Sequence, residues 1–229
     1  MINPSLLQAI AQRHSVRSYT DQPIPQDVAD ALRAEIARVN AEGGLHIQLV
    51  LNEPNAFRGM HSYGAFKGVS NYLIMAGAKS PDLEYKLGYY GEQIVLLAQT
   101  LGLNSCWVGL TYKKTPGTYQ LAEGEKIGCA IALGYGADAG RVRRSKSAED
   151  ISNLKPDSPQ WFKDAIDAVL KAPTAVNQQK FRFDLIADAP EPEVKAKATF
   201  SLVGYTQMDL GIAKLHFELG AQRPIKYIN

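Results

Sequence analysis

The sequence predicts an α+β fold, on three observations. Apolar residues recur at helical spacing in some stretches and alternate in others, so both kinds of element are present. The two kinds mix along the chain without the strict alternation of a doubly wound sheet. The chain has 229 residues, of which 45% are hydrophobic and 21% charged, the proportions of a globular protein with a sizeable core.

Each element has its own signal. Pro4 to Gln12 reads as a short helix, with Leu6, Leu7 and Ile10 on one side. Arg13 to Tyr19 alternates as an extended segment, and Pro23 and Pro25 mark a turn after it. Gln26 to Asn40 carries Val28, Leu32, Ile36 and Val39 at helical spacing and is ended by Gly43-Gly44. Leu45 to Leu51 alternates as a strand, residues 54–68 read as loop, and Asn71 to Ala76 is a buried strand. Asp82 to Leu101 is a long helix closed by Gly102. Cys106 to Leu110 follows as a short apolar segment, and Lys126 to Leu133 as a strand ending in Gly134-Tyr135-Gly136. After a basic patch and a polar stretch, Ser145 to Pro159, the pattern gives helix, strand and helix again.

A weak internal repeat runs through this order. Asp30–Ile36 lines up with Asp164–Leu170, an offset of 134, and each helix leads into a strand, Leu45–Val50 in one copy and Phe181–Ile186 in the other. Leu101-Gly102 and Leu219-Gly220 close two further helices at a shorter offset. Helical patterning alone also produces such likeness. The division expected from it is a first half over residues 1–150 and a shorter second half over 151–229.

The formal net charge is +2, too small to argue for nucleic acid or an acidic membrane surface. Any anion site must come from local clustering. Cys106 and Cys129 sit in apolar runs and read as buried thiols. The start lacks the charged-then-apolar order of a secretory signal, and no apolar run approaches the ~20 residues needed to span a bilayer. A cytoplasmic location is the default expectation. The histidines have no metal-ligand spacing, and no metal is expected.

Three segments carry candidate chemistry. In Arg13-His14-Ser15-Val16-Arg17, an extended backbone turns residues 13, 15 and 17 to one face. Two guanidiniums and a hydroxyl suit a phosphate. The plain alternative is a solvated basic stretch at a helix C-terminus. In Lys171–Phe181, Pro173 stops a helix and the loop offers Thr174, Asn177 and Gln179. Amides and hydroxyls both donate and accept, as a polar heterocycle requires, although an ordinary helix-to-strand turn has the same composition. In Gly102–Leu110, an apolar wall followed by Gly109 would let main chain approach a flat ligand closely. Read alone, it is a buried strand.

Together these runs resemble the FMN-dependent nitroreductase family. The likeness rests on R-H-S-x-R at residues 13–17, A-P-T-x-x-N-x-Q-x-F at 172–181, L-G-L-x-S-x-W-x-G at 101–109, and the strand end Ala132–Gly136. It implies a nitroreductase-like fold. The order of the motifs departs from the family pattern, where the A-P-S-x-x-N-x-Q motif follows the basic motif by a single helix. Here that position holds Ala37–Gly44, and the second half has no R-x-S-x-R run. Family members are homodimers that draw these two motifs from different subunits. The chain therefore resembles a tandem branch of the superfamily, an intramolecular pseudo-dimer with one retained site and one FMN per chain.

Carried over by that resemblance, Arg13, His14 and Ser15 would hold the phosphate and ribityl chain. Arg17 would sit at the pyrimidine edge, where positive charge stabilises the reduced anion. Pro173, Thr174, Ala175 and Asn177 would line the ring, with the backbone of Val108 and Gly109 facing its centre. Arg144 and Lys146 would complete the phosphate site, with Arg141 and Arg143 close by, and the loop of Tyr63, Gly64, Phe66 and Lys67 would add flavin contacts. No Gly-rich dinucleotide fingerprint follows a strand, so NAD(P)H would be a transient donor. The expected activity is ping-pong hydride transfer to a nitroaromatic, quinone or similar small acceptor, with no catalytic side chain. The other readings are an FMN carrier or redox sensor, and a domain that keeps only the fold. A monomeric pseudo-dimer is expected, with a homo-oligomer left open.

Overall fold

The computed structural model describes residues 4–58, 65–188 and 191–228, and these form an α+β structure. Helix α1 spans Pro4–Gln12 and α2 spans Gln26–Gly43. Strands β1 (Gln48–Val50), β2 (Asn71–Ala78), β3 (Asn104–Val108) and β4 (Glu125–Gly134) surround the long helix α3 (Leu83–Thr100). They make a four-stranded antiparallel sheet in the order β1-β2-β4-β3. Beyond it come the short helix α4 (Ala148–Ile151), α5 (Gln160–Val169), and strands β5 (Phe181–Ala187) and β6 (Glu193–Ala198). Helix α6 (Thr206–Ala221) and β7 (Lys226–Ile228) close the chain. Strands β5 and β6 pair antiparallel, and β7 joins β6 in parallel.

Three of these elements lie outside the expected set. Helix α4 sits in the stretch read as polar, where Ser147 and Asp150 cap it reciprocally: each side chain accepts from the other's backbone N–H. Strand β6 is Glu-Val-Lys-Ala-Lys-Ala, whose small and charged residues hide the alternation. Strand β7 is three residues long. The strand expected over Leu45–Leu51 is shorter, because only Gln48–Val50 continue the ladder with β2.

The helices explain why the strands are so apolar. Leu73 and Met75 of β2 point into the largest core cluster, which also holds Leu87 and Ile94 of α3 and Ile212 and Phe217 of α6. Tyr72, Ile74 and Ala76 point the other way, into a second cluster with Phe57, Phe66 and Val16. Both faces of β2 are thus covered, and Asn71–Gly77 is buried throughout. Phe183 of β5 stacks on Phe217 at 5.0 Å. The largest cluster draws residues from both sides of position 150.

Helix α3 lies on the four-stranded sheet, α6 on the three-stranded one, and the two helices pack on each other. Their contact is reciprocal. A Cβ on Gly88 would collide with the Met208 carbonyl, and one on Gly211 with the Tyr85 carbonyl. Each glycine therefore meets the residue three positions before the other glycine, as in an isologous contact. Both lie five residues into their helices. Leu101 caps α3, whereas Leu219 and Gly220 lie inside the last turn of α6.

Candidate functional site

A cavity of about 760 Å³ opens where segments distant in the sequence meet. The segment 13–17 forms one wall. It is extended and clamped by backbone: Val16 N–H donates to the Ser105 carbonyl (3.1 Å) and Tyr19 N–H to that of Lys67 (2.9 Å). Val16 and Tyr19 turn into the core, while Arg13, His14, Ser15 and Arg17 line the cavity. The end of β3, with Trp107, Val108 and Gly109, forms the floor. Pro173, Thr174, Ala175 and Asn177, from the far half of the sequence, form the opposite wall. The three candidate segments therefore converge on one space.

The far wall is a strained loop. Val176, Asn177 and Gln179 have φ of 44°, 57° and 47°, in the left-handed region that costs an ordinary L-residue about 1–2 kcal/mol. Hydrogen bonds from within the loop and from other elements hold it. Asp209 on α6 accepts from the Ala175 N–H (3.0 Å) and the Gln178 amide (2.7 Å). Thr174 Oγ1 accepts from the Gln179 N–H (3.1 Å), and the Asn177 amide donates to the Arg144 carbonyl (2.7 Å).

The basic segment after β4 corrects the expectation for Arg144 and Lys146. Neither lines the cavity; Arg141 and Arg143 do. The reason is the stitching to the loop. Arg144 spends its carbonyl on Asn177, and Lys146 donates its Nζ to the Gln179 carbonyl (2.8 Å) and its backbone N–H to Gln179 Oε1 (2.9 Å). Arg143 reaches inward, donating to the Leu170 carbonyl (2.6 Å) and, at 3.4 Å, to Asn177 Oδ1. Lys67 is likewise exposed and outside the lining. Its backbone bridges Arg17 and Tyr19, while its neighbours Ala65 and Phe66 reach the cavity. Tyr63 and Gly64 lie outside the described residues.

The charges are organised in depth. Arg13 is only 5% exposed, and its Nε and Nη1 are buried with no hydrogen-bond partner. Its counter-charge is Glu92 of α3, whose Oε1 lies 3.8 Å from the Arg13 Nε. Burial, and then the like charge of Arg13, lower the pKa of Arg143 to about 10. Burial raises that of Asp209 to about 7, against the hydrogen bonds from Ala175 and Gln178 and the charge of Arg143. Arg13 thus brings to the cavity lining a buried guanidinium with two donors left without a partner.

Asp209, Glu92 and Tyr205 escaped the sequence reading. The two acids lie among the buried residues of their helices, and their partners lie on other elements. Tyr205 (φ 59°) precedes α6 and lays its phenol against Gly109, where a Cβ would meet its hydroxyl at 2.7 Å. The mouth is rimmed by exposed apolar residues, Leu110, Val142, Val176 and Val203. Among the described residues, no helix is long and apolar enough to cross a membrane, and no group of three or more His, Cys, Asp or Glu could hold a metal ion.

Comparisons with known proteins give this geometry a relative. The fold is similar to a crystal structure described as a "putative nitroreductase" from Thermotoga maritima. That match has 20% identity and a TM-score of 0.62, and covers 94% of this chain and 82% of that one. A nitroreductase structure from Desulfovibrio desulfuricans, in complex with FMN, matches at 22% identity and TM-score 0.54, over 69% of this chain and all of that one. Nitroreductase A from Vibrio parahaemolyticus matches at 16% and 0.52, over 69% and 78% of the two chains. At these identities the likeness is one of fold. A search of curated proteins finds no match. The family model "Putative TM nitroreductase" matches residues 5–221, a span that holds both walls of the cavity, and on that match the chain belongs to the TM nitroreductase family.

Proposed function

We propose that the cavity binds FMN, one per chain, and that the protein is an oxidoreductase carrying hydride from NAD(P)H to a small acceptor such as a nitroaromatic or quinone. The observation that carries this reading is the convergence of the Arg13–Arg17 segment, the end of β3 and the Pro173–Asn177 loop on one cavity with unpartnered buried guanidinium donors. The residues fit the group: Arg13, Ser15 and either Arg141 or Arg143 suit a phosphate, Arg17 suits the electron-rich edge of a reduced ring, and Thr174 and Asn177 suit a polar heterocycle. Bound FMN would supply the hydride-accepting chemistry. The chain's own part is to fix orientation, exclude water and place positive charge. The apolar rim suits a flat, weakly polar acceptor.

We read the chain further as two tandem halves. The reciprocal packing of Gly88 and Gly211 supports this, as does the shared order of helix, two antiparallel strands, helix and strand in α2–β3 and α5–β7. Tyr85 and Tyr89 on α3 correspond by that reciprocity to Met208 and Ile212, which line the cavity. There they are engaged by α6 instead: Lys214 lies 5.4 Å from the Tyr85 ring, and Tyr89 donates to Glu218 at 2.6 Å. Side chains filling that position support a count of one flavin.

The purified protein is expected to be yellow, or to become so with FMN, to saturate at one flavin per chain and to bleach with NADH or NADPH. Bound flavin that neither nicotinamide reduces would favour a carrier or sensor. Protein that ignores FMN would refute the reading.

A further inference from the structure

Behind the cavity lies a buried polar cluster with no role in the reading above. Glu92 and His216 are both fully buried, on α3 and α6. Glu92 Oε2 accepts from the Trp107 indole N–H (2.8 Å), and its Oε1 lies 3.0 Å from His216 Nε2. The other ring nitrogen, Nδ1, lies 3.0 Å from the Ala168 carbonyl. A carbonyl only accepts, so Nδ1 carries a hydrogen. One further proton must then lie between Nε2 and Oε1, since two lone pairs would otherwise face each other in the core.

The same Oε1 lies 3.8 Å from the Arg13 Nε. Positive charge at Arg13 favours leaving that proton on His216, which makes Glu92 the negative end of a buried dipole aimed at the guanidinium. Glu92 forms no hydrogen bond to Arg13, so it offsets the charge without occupying the donors of a side chain that lines the cavity.

We propose that the Glu92–His216 pair is an attenuator of the cavity's anion site. It offsets the buried charge of Arg13 in the empty site, and it weakens the field that Arg13 presents to a bound phosphate. Glu92 acts through Arg13, as a positioning residue rather than a catalytic one. The inference rests on the cavity binding FMN.

Its test is a sign. Glu92→Gln keeps every hydrogen bond: the new side-chain carbonyl accepts from Trp107, and the amide donates to a neutral His216. The negative end that faces Arg13 is removed, and with it the compensating proton on His216. Flavin-free protein is titrated with FMN and with riboflavin by flavin fluorescence, and the ratio of the two affinities isolates the phosphate. In E92Q the preference for FMN should rise by roughly threefold to tenfold, the Coulomb scale for a charge lying a short distance behind its partner at intermediate dielectric. The melting temperature of the flavin-free protein should fall. His216→Gln leaves Glu92 uncompensated, so there the preference for FMN should drop by a similar factor. A ratio that is unchanged or lower in E92Q overturns the proposal, as does a parallel loss of both ligands, which marks a merely structural role. If E92Q fails to fold, the direction of change in H216Q decides. Wild-type protein that binds no FMN, or binds it no better than riboflavin, refutes the flavin-phosphate assignment itself and this proposal with it.

Discussion

Replacing Asp209 by asparagine should make the protein more stable at pH 8 and slightly less stable at pH 4, by about 1 kcal/mol. Burial raises the Asp209 pKa from 3.8 to about 7 in the folded protein. Below pH 3.8 the side chain is protonated in both states, and burial carries no charge penalty. Between 3.8 and about 7 the unfolded chain releases the proton while the folded one retains it, so stability falls as pH rises, by up to about 1.4 kcal/mol per unit. Above about 7 the penalty is complete, at about 4 kcal/mol for the whole shift. The side-chain carbonyl of the D209N variant would still accept from the Ala175 N–H, but the variant would lose the acceptor for the Gln178 amide, a forfeit of about 1 kcal/mol. A net gain of about 2–3 kcal/mol for D209N at pH 8 follows. Urea unfolding at pH 4 to 8, followed by tryptophan fluorescence, reads the gap directly. A gap that does not change with pH, or wild type gaining on the variant as pH rises, would show that the carboxylate is already ionised in the fold.

Other perturbations have equally definite outcomes. Val176→Asn relieves a β-branched residue at φ 44°, exposed on the loop; thermal melts should show a gain of about 1 kcal/mol. Gly88→Ala and Gly211→Ala should each cost several kcal/mol in chemical denaturation, because each methyl meets the carbonyl of the facing helix, and a large cost for only one would contradict the reciprocal contact. Phe217→Ala removes the ring stacked on Phe183 in the centre of the core and should cost about 3–5 kcal/mol by the same measurement.

The parts of this fold legible in sequence are those where one periodicity dominates. Helix α1 has the bounds its apolar spacing predicts, and β2 and β4 follow from unbroken apolar runs. Strand β6 was hidden because alternating Lys and Ala do not read as a buried face, and β7 because three residues carry no pattern. Within the cavity, alternation alone placed Arg13, Ser15 and Arg17 on one wall. Choosing among Arg141, Arg143, Arg144 and Lys146 required knowing where the Asn177 loop lies, since its hydrogen bonds decide which of them turn away. Asp209 and Glu92 were illegible for the same reason. A buried charge in a helix declares only that it needs a partner, and the partners here are 15 to 124 residues away.

The two walls of the cavity belong to one polypeptide, and hydrogen bonds between residues 143–146 and 170–179 tie the basic segment after β4 to the second of them. A pocket assembled from separate molecules is complete only at concentrations above their dissociation constant. This one forms in a first-order process, as fully at nanomolar as at millimolar protein, with the connecting chain standing in for effective concentration.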